Sequence, residues 1–333
     1  MSAKEKNSRV INAGVIGAGR MGQYHVGVYS ELPGVELAGV VDIDGAKAAE
    51  IARRFNTESY TDFTSLFGKV DVVSIAVPTV QHYTIAKACL QAGINCLVEK
   101  PICSDLAQAA ELFDIADKKG VALHVGHVER FNGAVQELMK VAHDPIFIES
   151  RRMGPFDPRM KDDGVILDLL IHDLDIILNL VNSPIAELNV IGSSVFSDNE
   201  DVVNVQMRFE NGCMANMLAS RVSQEKIRSL AVTQEKEYIY LDYTHQDIVV
   251  HRRASSQHQL SRQELRYAQE SLVEKIFVHK DNPLKLELAH LIDCAANGAD
   301  RRISVENELL SLKVALMALD KLKLVRKSLA PAV

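Results

Sequence analysis

Long apolar runs are absent from this sequence. No stretch approaches the ~18 to 20 residues that a membrane-spanning helix needs, and the opening MSAKEKNSRV lacks the apolar segment of a secretory signal. A cytoplasmic protein with no membrane partner is expected. Cysteine is also sparse. The five present (Cys89, Cys96, Cys103, Cys213, Cys294) are odd in number and include no Cys-x-x-Cys pair. Neither a disulfide framework nor a zinc clip is suggested, and the thiols are expected to be reduced and mostly buried. There is no Gly-x-Ser-x-Gly, and no cysteine has a histidine at a spacing recognisable as a nucleophilic pair, which argues against a hydrolase of that type. Positive charge is in deficit: 37 Lys and Arg stand against 44 Asp and Glu, a net charge of -7. That balance repels a polyanion unless cations cluster locally, so nucleic acid is not an expected partner.

What is present is ordinary for a packed chain: 47% hydrophobic and 24% charged residues, with 18 Gly and 9 Pro, exclude disordered and collagen-like structure. At roughly 150 residues per domain, 333 residues imply two domains. From Ile11 to about Leu123, short β-branched runs alternate with helical periodicity, the pattern of repeated βαβ units and a parallel sheet. Strands are expected at 11–16, 35–41, 70–77, 95–98 and 121–125, and helices at 21–30, 45–55, 80–92 and 104–119. After about Asp144 a helix is expected over 165–181. Runs from Glu187 to Val250, broken by Ser-Asp-Asn-Glu and Glu-Asn-Gly, then read as antiparallel hairpins. The polar stretch 251–271 reads as a loop or irregular hairpin, and helices over 283–296 and 305–324 close the chain. The domain boundaries follow as 8–126 and 127–333.

Gly17-Ala18-Gly19-Arg20-Met21-Gly22 follows the first expected strand and opens the first helix. Glycines there permit a tight turn and close approach of a pyrophosphate to the helix N-terminus. Asp42 lies 20 residues beyond Gly22 at the end of the second strand, placed to accept hydrogen bonds from a ribose diol. A carboxylate at that point repels a 2′-phosphate, so NAD is expected in preference to NADP. The competing reading makes the glycines a plain strand-to-helix turn and Asp42 or Asp44 the cap of the helix at Gly45.

Two further elements carry chemistry. Glu99-Lys100-Pro101 sits just past the fourth of these strands, at the carboxyl edge where open α/β sheets place ligands. A lysine there can stabilise negative charge on a hydroxyl oxygen as its proton leaves; alternatively it is a surface lysine paired with Glu99. Asp168 and His172 lie four apart and share a helix face, whereas Asp173 is rotated about 100° from His172. Histidine suits abstraction of a hydroxyl proton near neutrality. The bland alternative is a helix-face histidine bonded to its neighbouring carboxylate. No third ligand has metal-site spacing, so no metal is expected.

The glycine loop, Asp42, Ala76-Val77-Pro78-Thr79 with His82, the run from Ala92-Gly93 to Glu99-Lys100-Pro101, and the Asp168–His172 segment together resemble the Gfo/Idh/MocA family. The resemblance implies an α/β architecture: an N-terminal Rossmann domain with a doubly wound parallel sheet, then a C-terminal α+β domain with an open, mostly antiparallel sheet. It also implies roles. Gly17, Gly19, Arg20, Met21, Gly22 and Asp42 would bind NAD, with Pro78, His82, Glu99 and Lys100 along its nicotinamide ribose and ring. Lys100 would hydrogen-bond the reacting hydroxyl, His172 would accept its proton, and Asp168 would position sugar hydroxyls. Within the family, residues 125–132 and 151–156 are most similar to enzymes that oxidise nucleotide-linked amino sugars. That implies oxidation of the 3-hydroxyl of a UDP-amino sugar such as UDP-N-acetylglucosamine to a ketone. Gly133 and Asp163-Gly164 depart from the commoner family pattern. Arg130, Arg151, Arg152 and Arg221 are candidates for the diphosphate and His127 for the pocket, against structural ion pairs and a core histidine. The alternatives are an inositol or free-sugar dehydrogenase, or an NAD-dependent glycoside hydrolase of the same family. Alternating apolar residues on a sheet face lead us to expect a homo-oligomer, a dimer or tetramer.

Overall fold

The computed structural model of the chain describes residues 9–157, 163–253 and 271–329. In chain order the first elements are β1 (Ile11–Ile16), α1 (Arg20–Glu31), β2 (Val35–Val41), α2 (Gly45–Arg54), β3 (Ser59–Tyr60), β4 (Val72–Ile75), α3 (Thr79–Gln91), β5 (Asn95–Glu99), α4 (Leu106–Lys119) and β6 (Leu123–Gly126). Then come α5 (Gly133–Val141), β7 (Phe147–Met153), a π-helical turn (Ile166–Leu170), α6 (Ile171–Val181), β8 (Ile185–Ser193), β9 (Val202–Phe209) and β10 (Met214–Ser220). The chain continues with β11 (Ile227–Thr233), β12 (Glu237–Asp242), β13 (Asp247–Arg253), β14 (Ser271–Ile276), α7 (Pro283–Asn297) and α8 (Val305–Leu329). No described helix is long and apolar enough to cross a membrane.

The chain divides into two compact units, the first comprising residues up to Val128 together with Asn282–Lys313. Its sheet is six-stranded and parallel, in the order β3-β2-β1-β4-β5-β6. Strand β4 is buried throughout and β1 nearly so, as expected when helices cover both faces of a parallel sheet. Asp44 caps α2 by accepting from the Ala46 and Lys47 amides. Helix α7 is capped by Asn282 and stopped by Gly298 in the left-handed region at φ 66°. Leu284, Leu288 and Leu291 form one apolar stripe on α7 and join the core of β1, α1 and Leu97. This division differs from the sequence reading, which assigned 127–333 to one domain. Periodicity shows that α7 has an apolar stripe, not which sheet that stripe covers.

The second unit comprises Glu129–Asp281 and the segment from Val314. Its eight-stranded sheet runs β14-β13-β12-β11-β7-β10-β9-β8. Pairing is antiparallel except between β7 and β10, which run parallel. Strands such as β9 alternate buried and exposed positions, the mark of a sheet covered on one face. Glu210-Asn211-Gly212 makes the β9–β10 turn with Gly212 at φ 89°. Of the stretch read as a loop or irregular hairpin, 251–253 belong to β13 and Ser271 opens β14, and 254–270 lie outside the described residues.

Candidate active site

The glycine loop separates glycines that the fold demands from one that it does not. A Cβ on Gly17, which sits at φ 102°, would lie 2.3 Å from the Ala76 carbonyl oxygen, and one on Gly22 would lie 1.8 Å from that of Gly17. Both positions are closed to any side chain. A Cβ on Gly19 would meet nothing within 4 Å. Gly19 is also the N-cap of α1 and offers no side-chain acceptor, so the first amides of the helix face an open approach. That arrangement fits a pyrophosphate. Arg20 and Met21 begin the helix and are both exposed. The Asp42 carboxylate accepts from the Ala18 amide at 2.8 Å and from the Asp44 amide at 2.9 Å. It thus ties the glycine loop to the end of β2, a duty that the sequence reading missed. Each oxygen retains a lone pair for a ribose hydroxyl.

Lys100 follows the last residue of β5, and its neighbours are fixed from two sides. The Glu99 carboxylate is bonded to His25 Nε2 at 2.8 Å, while His25 Nδ1 meets Ser74 Oγ at 2.9 Å and the Tyr29 hydroxyl meets the same Ser74 Oγ at 2.9 Å. Burial opposes ionisation of Glu99, but the hydrogen bond and charge of His25 and the charge of Lys100 outweigh it and hold the pKa below the usual carboxylate range. Gly126 pairs with Glu99 across the sheet, and a Cβ there would stand 3.1 Å from Glu99 Oε2. On the other side, His82 places one ring nitrogen 2.9 Å from the Pro101 carbonyl oxygen and the other 2.8 Å from that of Val77. His82 therefore joins the turn after β4 to the turn after Lys100, whose peptide bond to Pro101 is cis. The sequence reading sets His82 along the cofactor; in the structure both its ring nitrogens meet protein carbonyls. Pro78 forms the N-cap position of α3. His127 is buried one residue beyond β6.

In the second unit, Asp168 and His172 lie where the π-helical turn passes into α6. The Ile171 amide reaches back to the Ile166 carbonyl, a five-residue hydrogen bond. Wide turns of this kind frequently mark functional positions. Glu200 holds the start of the turn, its carboxylate accepting from the Ile166 amide at 3.1 Å. Gly164 makes room: a Cβ on it would stand 1.9 Å from Glu200 Oε1. The glycine retained in Asp163-Gly164 therefore has a packing reason.

The remaining acids of this helix are spent on arginines. Asp173 pairs with Arg152 through Nε at 2.8 Å and Nη2 at 3.1 Å, and both side chains are only 1% exposed. Arg152 also reaches Glu129 at 2.9 Å and lies over the Tyr243 ring at 4.8 Å. Burial alone would lower its pKa, but Asp173 and Glu129 drive it well above the ordinary value. Asp175 takes Arg130 in a two-point contact at 2.6 and 2.5 Å. Arg221 is committed to Asp201 at 2.6 Å and to the Asp163 carbonyl at 2.7 Å. Arg151 alternates to the opposite face of β7 from Arg152, where it is exposed and pairs with Glu149 at 2.8 Å. Arg130, Arg152 and Arg221 thus hold internal carboxylates, and Arg151 lies on the other face of β7 from Arg152.

The structure groups the predicted residues into two sets. The glycine loop, Asp42, Pro78, His82, Glu99, Lys100 and His127 belong to the first unit, and Asp168, His172 and the arginines to the second. His25, Tyr29 and Ser74 escaped the sequence reading. A signal existed: Ser74 interrupts the apolar run of β4, and His25 and Tyr29 lie four apart on one face of α1.

Comparison with known proteins agrees with this architecture. Residues 11–127 match the model of the oxidoreductase family with an NAD-binding Rossmann fold, and residues 140–240 match the GFO/IDH/MocA C-terminal domain. The chain is 34% identical over 221 residues to UDP-N-acetylglucosamine 3-dehydrogenase of Acidithiobacillus ferrooxidans, covering 66% of this chain and 71% of that protein. A solved structure of UDP-N-acetylglucosamine 3-dehydrogenase from the same organism superposes with a TM-score of 0.85 at 28% identity, covering 94% of this chain and 98% of that one. Inositol 2-dehydrogenase of Rubrobacter xylanophilus is 28% identical over 174 residues, half of each chain. With both of its domains matched and a glycine loop that fits a dinucleotide, this chain belongs to the Gfo/Idh/MocA family of NAD-binding oxidoreductases.

Proposed function

We propose that the protein oxidises a secondary hydroxyl of a sugar, the 3-hydroxyl of a UDP-amino sugar such as UDP-N-acetylglucosamine, to a ketone with NAD. The observation that carries the chemistry is the placing of Asp168 and His172 four residues apart at the entry to α6, both half-buried, on the segment whose Asp173 and Asp175 hold Arg152 and Arg130. The substrate class rests on the 34% identity to the Acidithiobacillus ferrooxidans enzyme.

NAD supplies the hydride acceptor. The His172 imidazole takes the hydroxyl proton as the carbinol hydrogen departs with its electron pair. The Lys100 ammonium donates to the same oxygen and stabilises its growing negative charge. Asp168 accepts from a neighbouring sugar hydroxyl and orients the ring. The Glu99–His25 and His82–Pro101 contacts hold the Lys100 backbone on both sides.

The internal pairing of Arg130, Arg152 and Arg221 favours a second reading, an inositol or free-sugar dehydrogenase, because these side chains already neutralise carboxylates. A screen of UDP-sugars and free polyols with NAD and NADP, read as reduced-cofactor absorbance, separates the two. Turnover of UDP-N-acetylglucosamine with UDP as competitor is expected. Turnover of inositol or a free sugar that UDP leaves unaffected would replace the first reading by the second.

The outer face of the eight-stranded sheet supports self-association. Ile191, Met214, Tyr238 and Tyr240 are exposed there on the same side as Arg151. A dimer or tetramer by light scattering is the expected result, and a monomer at working concentration would remove it.

A further inference from the structure

A group of side chains in the first unit stands outside the roles assigned above. His290 and Cys294 lie one turn apart on α7, and His124 lies on β6. The ligand-capable atoms of all three fall within 4.8 Å of one another. Cys294 Sγ is 3.8 Å from His290 Nε2 and 4.0 Å from its Nδ1. The His124 and His290 rings are 5.0 Å apart between centroids and tilted by 32°.

These distances are close to those that one ion would impose. Tetrahedral zinc at ~2.0 Å from nitrogen and ~2.3 Å from sulfur sets its nitrogens about 3.3 Å apart and a sulfur and nitrogen about 3.6 Å apart, with two ligating imidazole centroids about 5 Å apart. We propose that His124, His290 and Cys294 form a binding site for one zinc-type transition-metal ion, which ties α7 to the edge strand β6.

The donor set selects the metal. Two imidazole nitrogens and one thiolate are borderline-soft ligands that suit zinc and its neighbours and reject magnesium and calcium. Three protein ligands leave a fourth position for water. His124 is buried while His290 and Cys294 are half-buried, so the cluster has a route to solvent on the helix side.

The surroundings act on both groups. Burial and the nearby Arg302 push the His290 pKa down, opposed by Asp293. Burial and the charges of Asp293 and Asp300 push the Cys294 thiol up, opposed by Arg301. Binding therefore forms a metal–sulfur bond, breaks the S–H bond and releases one proton to solvent. The cysteine reading from sequence overlooked this pair: His290 is four residues before Cys294 on a helix, and only folding adds His124, more than 160 residues away.

The test uses the full-length protein stripped with a chelator and titrated with Co²⁺, then Zn²⁺. One equivalent of Co²⁺ should bind with a sulfur-to-cobalt charge-transfer band in the near ultraviolet, and Zn²⁺ should displace it. Cys294→Ser should abolish that band. His124→Ala and His290→Ala should each weaken binding at least tenfold, while Cys213→Ser should leave it intact. Should a variant fold poorly, Zn²⁺ should still slow alkylation of Cys294 in the unaltered protein, read by mass spectrometry. Absence of stoichiometric binding, binding indifferent to all three substitutions, or alkylation unaffected by Zn²⁺ would each overturn the proposal.

Discussion

His25 holds Glu99: its Nε2 lies 2.8 Å from the carboxylate, and the ring is fully buried. A helix that opens at the cofactor loop thereby sets the residue immediately before Lys100. His25→Ala is expected to lower kcat by roughly tenfold or more through loss of Lys100 positioning, with NAD affinity changed far less. Equal losses in turnover and cofactor affinity would instead assign His25 to the loop alone.

The same contact has a pH signature. The folded pKa of Glu99 is depressed, so its contribution to stability is complete above the ordinary carboxylate value of about 4.3 and is lost as pH falls through the folded value. Acid titration of unfolding free energy should therefore fall more steeply below about pH 4.5 in the unaltered protein than in Glu99→Gln. Superimposable acid limbs would show that Glu99 carries no such linkage.

Lys100→Met should reduce kcat by about 10²–10³, the usual effect of deleting one donor to a developing oxyanion. NAD binding should stay within a few-fold. His172→Ala should cost about 10²–10⁴, recovered in part at high pH where hydroxide replaces the base. If both residues act on one substrate, the double variant should lose less than the product of the single losses.

Asp42→Ala removes the proposed ribose acceptor and also the acceptor for the Ala18 amide. The NAD-to-NADP preference should fall at least tenfold, accompanied by a stability loss of about 1 kcal/mol for the vacated hydrogen bond. An unchanged cofactor preference with lowered stability would limit Asp42 to holding the loop.

Asp173→Ala leaves Arg152 buried without its two-point partner, and loss of one member of such a pair costs about 3–5 kcal/mol. Thermal or denaturant unfolding should register that loss in the absence of substrate. Asp168→Ala, in the preceding π-helical turn, should instead raise KM.

Much of the first unit was legible before folding. Strands 11–16 and 35–41 match the sequence reading residue for residue, and the bounds of α1 to α4 and of α7 differ by no more than two positions. Parallel strands buried on both faces are predominantly apolar, and the Asp44, Asn282 and Gly298 signals act within one turn. The two-residue β3 and the short α5 were missed because neither spans enough residues to show a period. The contact of the Glu200 carboxylate with the Ile166 amide, which holds the start of the π-helical turn, was hidden because the two lie 34 residues apart.

Sequence by itself determined the dinucleotide loop, the order of βαβ units and the chemistry available at Lys100, Asp168 and His172, since each depends on neighbours within a few residues. Tertiary structure alone decided which charges are spent. Arg130, Arg152 and Arg221 appear in the sequence as equivalent cations, but Arg152 and Arg221 are buried, and Arg130 half-buried, against a carboxylate supplied by another element. The physical reason is that a buried guanidinium must be neutralised where it lies, and which acid arrives there depends on packing between elements distant in sequence.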